Sequence, residues 1–439
     1  MTVNASPSLR VRTFDTSRTA LAKIAKAIAS APPVGTPQEQ AAVAEILQAV
    51  GARGAAALLE YTRRFDWPQA AASRLRAAGS DLKAALSSIS AAQRQVLETS
   101  IARVRSYHLG QRPSDSLHIG EDGGLLGTRF TPLDSVGIYA TVASSLIMAA
   151  VPAQVAGVRR IAVATPPGRD GKGRGGVLAV AALLGLGEVY RVGGAQAIAA
   201  LGLGTGTIPA VDKVVGAGNI YVTIAKRMLF GTVGIDGLYG PSELTIIADE
   251  TARPDWLAAD LAAQAEHIPA VGALPVVVLI SPSKRIIREA RAALRSHLAA
   301  LKQGEKIARC ISSTGAFVAV RSLREAAALA NLLAPEHLQL SVREPLSSLS
   351  MIRHAGCIVL GHQTTVPISD YAAGPSHILP TGRSARFSSG LHVVDFMKRS
   401  SVIAVSPAWI ERQGEVVERL ANLEGLQAHA RAVSIRRPG

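Results

Sequence analysis

From about residue 125 onward, short apolar runs bounded by Gly or Pro alternate with stretches whose apolar residues recur at helical spacing. The runs at 160–164 (RIAVA), 189–192, 213–215, 244–248 (LTIIA), 276–280 (VVVLI), 317–320 and 357–360 read as strands. Between them, 147–158, 177–184, 195–201, 220–228, 254–267, 286–301 and 323–333 read as helices. A strand that is apolar at every position needs cover on both faces, and helices between the strands supply it. The pattern therefore predicts βαβ units with parallel sheets, an α/β fold class. At 439 residues the chain exceeds one ordinary core, so more than one such unit is expected.

The two ends read differently. Residues 17–110 are Ala-rich and helical in pattern: Ala42, Val43, Ile46, Leu47 and Val50 form a stripe that stops at Gly51. Leu58, Leu59 and Phe65 continue it to Pro68, and 91–107 repeats the pattern. The stretch TRFTPLDSVGIYA reads as strands broken by a turn. The last forty residues read as polar-faced helices marked by Leu420, Leu423, Leu426 and Val433. A tail with so little core of its own is expected to dock on something, such as another subunit.

Hydrophobic residues make up 48% and aromatics only 4%, which suits tight helix–sheet packing rather than a disordered or all-β chain. The net charge of +15 invites a nucleic-acid reading, but the basic residues are scattered and no block is both basic and aromatic. Cys310 and Cys357 are the only cysteines, too few for a disulfide framework or a Cys-x-x-Cys motif. The N-terminus lacks an apolar signal region, and no apolar stretch runs uninterrupted for a membrane span. A cytoplasmic protein without membrane or nucleic-acid partners is expected.

Gly171, Gly173 and Gly176 match G-x-G-x-x-G between a strand and a helix, the context of a dinucleotide fingerprint. Pro166 and Pro167 cut the strand short, however, and the next strand ends in Val192-Gly193-Gly194 with no ribose-binding acid. A surface turn is the plainer reading.

A set of longer segments is more specific: GGAQAIAAL (from Gly193), VDKVVGAGNIYVTIAKR (from Val211), GPSELTIIAD (from Gly240), DLAAQAEH (ending at His267), APEHLQL (from Ala334), SDYAAGPSHILPTG (from Ser369), ARFSSGL (from Ala385), DFMKR (from Asp395) and EGLQAHARAV (from Glu424). In this order and at these distances they resemble the histidinol dehydrogenase family, with LLEYTRRFD and PLDSVGIY as fainter matches. The resemblance implies NAD-dependent oxidation of L-histidinol to L-histidine in two steps through an enzyme-held aldehyde, in histidine biosynthesis. It implies one zinc per subunit and a homodimer in which the C-terminal tail completes the neighbouring site. It also implies two Rossmann-like α/β domains with helical N- and C-terminal extensions used in dimerisation. The expected division is an N-terminal extension (1–25), a zinc and catalytic domain (26–136 and 246–390), a NAD-binding domain (137–245) and a helical tail (391–439).

By spacing alone Gln264 and His267 are an ordinary polar helix face. The resemblance makes them zinc ligands with Asp370 and His429, an N/O donor set that suits zinc and leaves room for substrate. Glu336-His337 after Pro335 could equally be a helix start with a favourable acid in its first turn. In the family the pair is catalytic: His337 takes the hydroxyl proton, and Glu336 activates the water that hydrates the aldehyde. Ser242, His337, His377 and Glu424 match substrate-contacting positions; Tyr139, Gln196 and Asn219 match nucleotide-contacting ones. Each would be unremarkable alone, as a cap, loop or surface residue.

The chain also departs from the family. After Tyr139 it runs ATVASSLIM, without the longer Pro- and Gly-rich stretch usual there. GPGN reads Gly216-Ala217-Gly218-Asn219, and Ser369 and Ser376 replace a usual Gly and Asn. These changes, with Arg383 and Arg386 as anion contacts, keep open a paralogue that oxidises another small alcohol, such as a hydroxylated sulfonate. A binding protein that has lost catalysis fits poorly with an intact acid–base pair and ligand set.

Overall fold

A strand such as Val276–Ser281 (VVVLIS) has no polar face to turn to water, and all but its first residue are buried. In the computed structural model, which describes residues 9–29, 34–269 and 272–437, that strand lies inside a six-stranded sheet. In chain order the strands are β1 (Arg12–Asp15), β2 (Ser116–Ile119), β3 (Leu125–Pro132), β4 (Ser135–Tyr139), β5 (Arg160–Ala164), β6 (Glu188–Tyr190), β7 (Lys213–Val215), β8 (Gly234–Ile235), β9 (Glu243–Ala248), β10 (Val276–Ser281), β11 (Ala316–Ala319), β12 (His337–Ser341), β13 (Cys357–Leu360) and β14 (Met397–Ala404). The larger sheet has the order β1-β11-β10-β9-β12-β13, and every pair in it is parallel. A second parallel sheet runs β6-β5-β4-β7-β8, and a small antiparallel one runs β14-β3-β2.

Helices cover both faces of each parallel sheet, as the apolar runs require. Side chains alternate along a strand, so Val277 and Leu279 pack with the helices Pro254–Ala265, Lys284–Ala300 and Gly304–Thr314. Val278 and Ile280 pack oppositely, with Leu21–Ile28 and Leu323–Leu333. On the smaller sheet, Ile138 and Val163 face Ala143–Ala156 and Gly175–Leu183, while Ala162, Ala164 and Val214 face Pro37–Arg53, Gly194–Leu203 and Ile220–Leu229. The helix Ala143–Ala156 is apolar on all sides and buried accordingly. It contains Pro152, which has no N–H to give the carbonyl of Met148; the Ser376 hydroxyl donates to that carbonyl instead, at 3.1 Å.

Three differences from the sequence pattern have physical causes. Residues 12–15, expected in a helical extension, form β1 at the edge of the larger sheet, parallel to β11. The tail is not wholly helical: β14 pairs antiparallel with β3 before the helices Pro407–Leu423 and Gln427–Ser434. Both are edge strands without a buried residue, half-buried in β1 and mostly exposed in β14, so no apolar alternation marks them. The helices Pro37–Arg53, Ala55–Phe65 and Ala91–Leu109 pack on the smaller sheet's side, not the larger's. An amphipathic stripe shows that a helix needs a partner, not which sheet it chooses. Among the described residues no helix is long and apolar enough to cross a membrane.

Candidate active site

The candidate site lies at the amino ends of three neighbouring strands of the larger sheet. The helix Leu323–Leu333 stops at Ala334, which adopts a left-handed conformation (φ 46°) unusual for a residue with a Cβ. Pro335 then turns the chain into β12. Glu336-His337 thus opens a strand rather than a helix, and His337 aligns with Leu244 of β9 and Cys357 of β13. Asp370 comes from the short helix Val366–Tyr371.

His337 is buried between two carboxylates. Its Nδ1 lies 3.6 Å from Glu336 Oε2 and its Nε2 3.4 Å from Asp370 Oδ1, and neither nitrogen has a close hydrogen-bond partner. Burial works against a charged imidazole here, but Glu336 and then Asp370 outweigh it and raise the pKa to about 10. Asp370 is shifted the other way: burial would raise it, but His337 above all, then His377 and His267, hold it below the usual carboxylate range. His377 Nδ1 stands 2.9 Å from the Asp370 carbonyl; since a carbonyl only accepts, this nitrogen carries the proton and Nε2 keeps its lone pair. Burial pushes the His377 pKa down, keeping the ring neutral.

Gln264 is buried in the last turn of its helix, with Nε2 lacking any partner. His267 lies just past the helix end, exposed, close enough for its charge to act on Asp370. Ser242 is half-buried immediately before β9. The fold thus gathers Glu336, His337, Asp370 and His377, with His267 near Asp370. It does not bring in His429 or Glu424. Both are exposed on the tail, whose helix Gln427–Ser434 packs mainly on Pro407–Leu423. Among the described residues no three His, Cys, Asp or Glu side chains form a ready metal cluster.

The three nucleotide candidates gather at the carboxyl end of the smaller sheet. The chain leaves β4 for β5 and β6, then crosses back to β7, so the strand order reverses between β4 and β7, where α/β sheets bind ligands. Tyr139 ends β4 and its hydroxyl accepts from the Gly194 N–H at 3.1 Å; burial raises its pKa to about 12. Gln196 is buried and donates to Asp66 Oδ2 at 3.2 Å. Asn219 caps Ile220–Leu229, its side chain accepting from the Val222 N–H at 3.2 Å. Gly218 lies against the Tyr139 ring, where a Cβ would come within 2.8 Å. By contrast the G-x-G-x-x-G loop is a turn closed on itself, Gly168 N–H to the Lys172 carbonyl, with Gly171 (φ 73°) pressed on Trp67.

The family-model match for histidinol dehydrogenase spans residues 32–437. A histidinol dehydrogenase of Geobacillus kaustophilus is 44% identical over 92% of this chain and 95% of its own length, and one of Cupriavidus pinatubonensis 47% over 90% of each. The chain belongs to the histidinol dehydrogenase family. The crystal structure of the Elizabethkingia anophelis histidinol dehydrogenase superposes with a TM-score of 0.91 at 30% identity, covering 98% of both chains. The family's fold, two parallel sheets in a mixed α/β chain, is the one described above.

Within this family framework the departures have visible roles. Ser376 caps the Met148 carbonyl, and the Ser369 hydroxyl donates to the Val366 carbonyl at 2.7 Å. Three groups escaped the sequence reading. Asp66 accepts from the Gly193 N–H at 2.9 Å and from Gln196, and burial raises its pKa. It stands where the missing acid was sought, but arrives from a helix 127 positions away. A buried pair, Lys226 and Asp236, lies 2.5 Å apart beneath the Gly216–Asn219 turn. Glu243 meets Glu336 across β9 and β12. None carries a local signal, because each contact is made by the fold.

Proposed function

We propose that this protein oxidises L-histidinol to L-histidine with two equivalents of NAD, through an aldehyde that stays in the site. The observation that carries the reading is the buried His337 held between Glu336 and Asp370, with His267 near Asp370. The donor set fits one zinc per subunit: the carboxylate of Asp370, the imidazole of His267 and the amide oxygen of Gln264 are hard-to-borderline ligands. Zinc bound there supplies a template for the substrate's nitrogen donors.

His337 takes the hydroxyl proton as hydride leaves for the nicotinamide. That requires the neutral ring; Asp370, one of the two carboxylates that raise its pKa, is also a residue that would hold the zinc, and a cation there would offset its charge. Glu336 then activates the water that adds to the aldehyde, and a second hydride transfer completes the acid. Glu336 Oε2 is engaged by the Glu243 N–H, and Oε1 makes no hydrogen bond among the described residues, leaving it to receive the water proton. Ser242 and His377 contact the substrate. Tyr139, Gln196 and Asn219 contact the nucleotide on the 137–245 unit.

A second copy completes the site in this reading. The tail leaves Val416, Val417, Leu420, Leu423 and Leu426 exposed, an apolar stripe that a homodimer would cover. Glu424 and His429 would then reach the neighbouring site. The two free thiols suit the reducing cytoplasm.

The deciding experiment is NADH formation by the zinc-loaded protein with L-histidinol. Two NADH per substrate, lost on chelation, are expected; no turnover with zinc bound would refute the reading. One observation favours a different alcohol: Arg383, strained at φ 66° beside the site, keeps a buried Nε without a partner, as an anionic substrate group would need. Turnover of a hydroxylated sulfonate but not histidinol would decide for it.

A further inference from the structure

We propose that Glu243 is a positioning residue, whose buried carboxylate fixes where Glu336 stands; this rests on the role just given to Glu336. Glu243 begins β9, Glu336 immediately precedes the neighbouring parallel strand β12, and the two clasp each other reciprocally. The Glu243 N–H donates to Glu336 Oε2 at 2.8 Å, and the Glu336 N–H donates to Glu243 Oε2 at 3.2 Å. Both side chains are buried. The second oxygen, Glu243 Oε1, accepts from the Gly382 N–H at 3.0 Å. That loop is itself tied back, since Thr381 Oγ1 accepts from the Gly240 N–H at 2.6 Å.

One carboxylate therefore spans the residue that opens β12 and the loop at Gly382, and its own main chain pins one oxygen of Glu336. The same Glu336 oxygen faces His337 Nδ1. Pinning it turns the other oxygen in a single direction, which a group receiving a proton from water requires. On the far side, the Glu336 carbonyl accepts from the Cys357 N–H at 2.8 Å, so the residue is held from β9 and β13 alike. A buried acid is costly without partners, and Glu243 has them in the Glu336 and Gly382 N–H groups.

The test is E243Q, which replaces one acceptor by an amide NH₂ facing a backbone N–H. The expected result is a fall in kcat of about a hundredfold for oxidation of the aldehyde, with KM for aldehyde and NAD within about twofold. In an E336Q background the same change is expected to cost less than about threefold more, because the two act as one unit. Multiplying losses in the double variant, or a raised KM with unchanged kcat, would overturn the proposal. Amide exchange at Glu336 and Gly382, expected about tenfold faster in E243Q with the rest of β12 unchanged, reads the clasp without turnover. Unchanged exchange would overturn it as well. Should E243Q not fold, E243D keeps the charge, shortens the reach and is read in the same way. Failure of the unaltered protein to oxidise histidinol would sink the functional reading alone, and exchange would still decide the clasp.

Discussion

Replacing Lys226 by Met tests whether the buried pair under the Gly216–Asn219 turn is structural ballast or a support for binding. Lys226 and Asp236 are each about 1% exposed, with Nζ 2.5 Å from Oδ1. Nζ also donates to the Gly216 carbonyl at 2.9 Å, and Asp236 Oδ2 accepts from the Gly216 N–H at 2.7 Å. Gly216 has φ 106°, and a Cβ there would meet the Tyr139 carbonyl oxygen at 2.2 Å, so the turn has little freedom to adjust. Burial pushes the Lys226 pKa down, and only Asp236 keeps it charged. Met preserves the stem and removes the charge, leaving Asp236 buried without a counter-ion. Breaking a buried pair from one side costs about 3–5 kcal/mol. At roughly 2.1 cal/mol/K of unfolding entropy per residue, about 0.9 kcal/mol/K for 439 residues, that lowers the melting temperature by about 3–5 °C. The double variant K226M/D236N should recover part of the loss, and KM for NAD should rise in K226M while KM for the alcohol holds. Thermal melts followed by far-UV ellipticity and initial rates across NAD concentrations supply both numbers. A K226M melt within 1 °C of the parent, or a double variant worse than the single, would refute the reasoning.

Three further outcomes are expected. H337N should lose about 10²–10⁴-fold in turnover while still binding substrate, checked by stopped-flow NADH formation and calorimetric titration; a loss below tenfold would remove His337 from the chemistry. S376A should destabilise by about 1–3 kcal/mol, because it strips the Met148 carbonyl of the partner that Pro152 cannot provide, as urea denaturation would measure. Glu325 is held down to about 2, chiefly by Arg321 and then by hydrogen bonds from the Arg321 N–H and Thr16. A depressed carboxylate stabilises above its unfolded value near 4.5 and loses that stabilisation as pH falls through about 2. The gap between the parent and E325Q in urea midpoint should therefore be full at pH 7 and close across that window.

The parts legible in the sequence were those where one physical demand dominates. The runs 276–280 and 246–248 are apolar at every position because helices press on both faces of the sheet. β1 and β14 were illegible because an edge strand with no fully buried side chain makes no such demand. Glu336-His337 was ambiguous for another reason: Pro after a helix serves a new helix or a strand equally, and the backbone sign of Ala334 decides it. The site residues were legible only as a set of segments in order. Gln264 and His267 gave no signal by spacing, since the helix ends at Ala265 between them. Asp66 and Glu243 stayed hidden because their partners lie 127 and 93 positions away.

Asp236 and Glu243 mark the two ends of a segment that links the smaller sheet to the larger one. The nucleotide candidates stand at the carboxyl ends of the smaller sheet, and the acid–base pair at the amino ends of the larger one. The chain passes between these places once after β8, through Asp236, Tyr239 and Gly240 to Glu243. That segment is pinned at its start, where Asp236 holds Lys226 and Gly216, and at its end, where Glu243 holds Glu336 and Gly382. Between them the Thr223 hydroxyl donates to the Tyr239 carbonyl at 2.9 Å, and Lys226 lies over the Tyr239 ring. In the proposed reaction, hydride transfer needs donor and acceptor carbons close to contact, so an error in how the two groups of candidates are placed would fall directly on the rate. On the function proposed above, a short connection tied at both ends and in the middle by buried hydrogen bonds holds the two groups of candidates in register, and its acids are buried where no local pattern announces them.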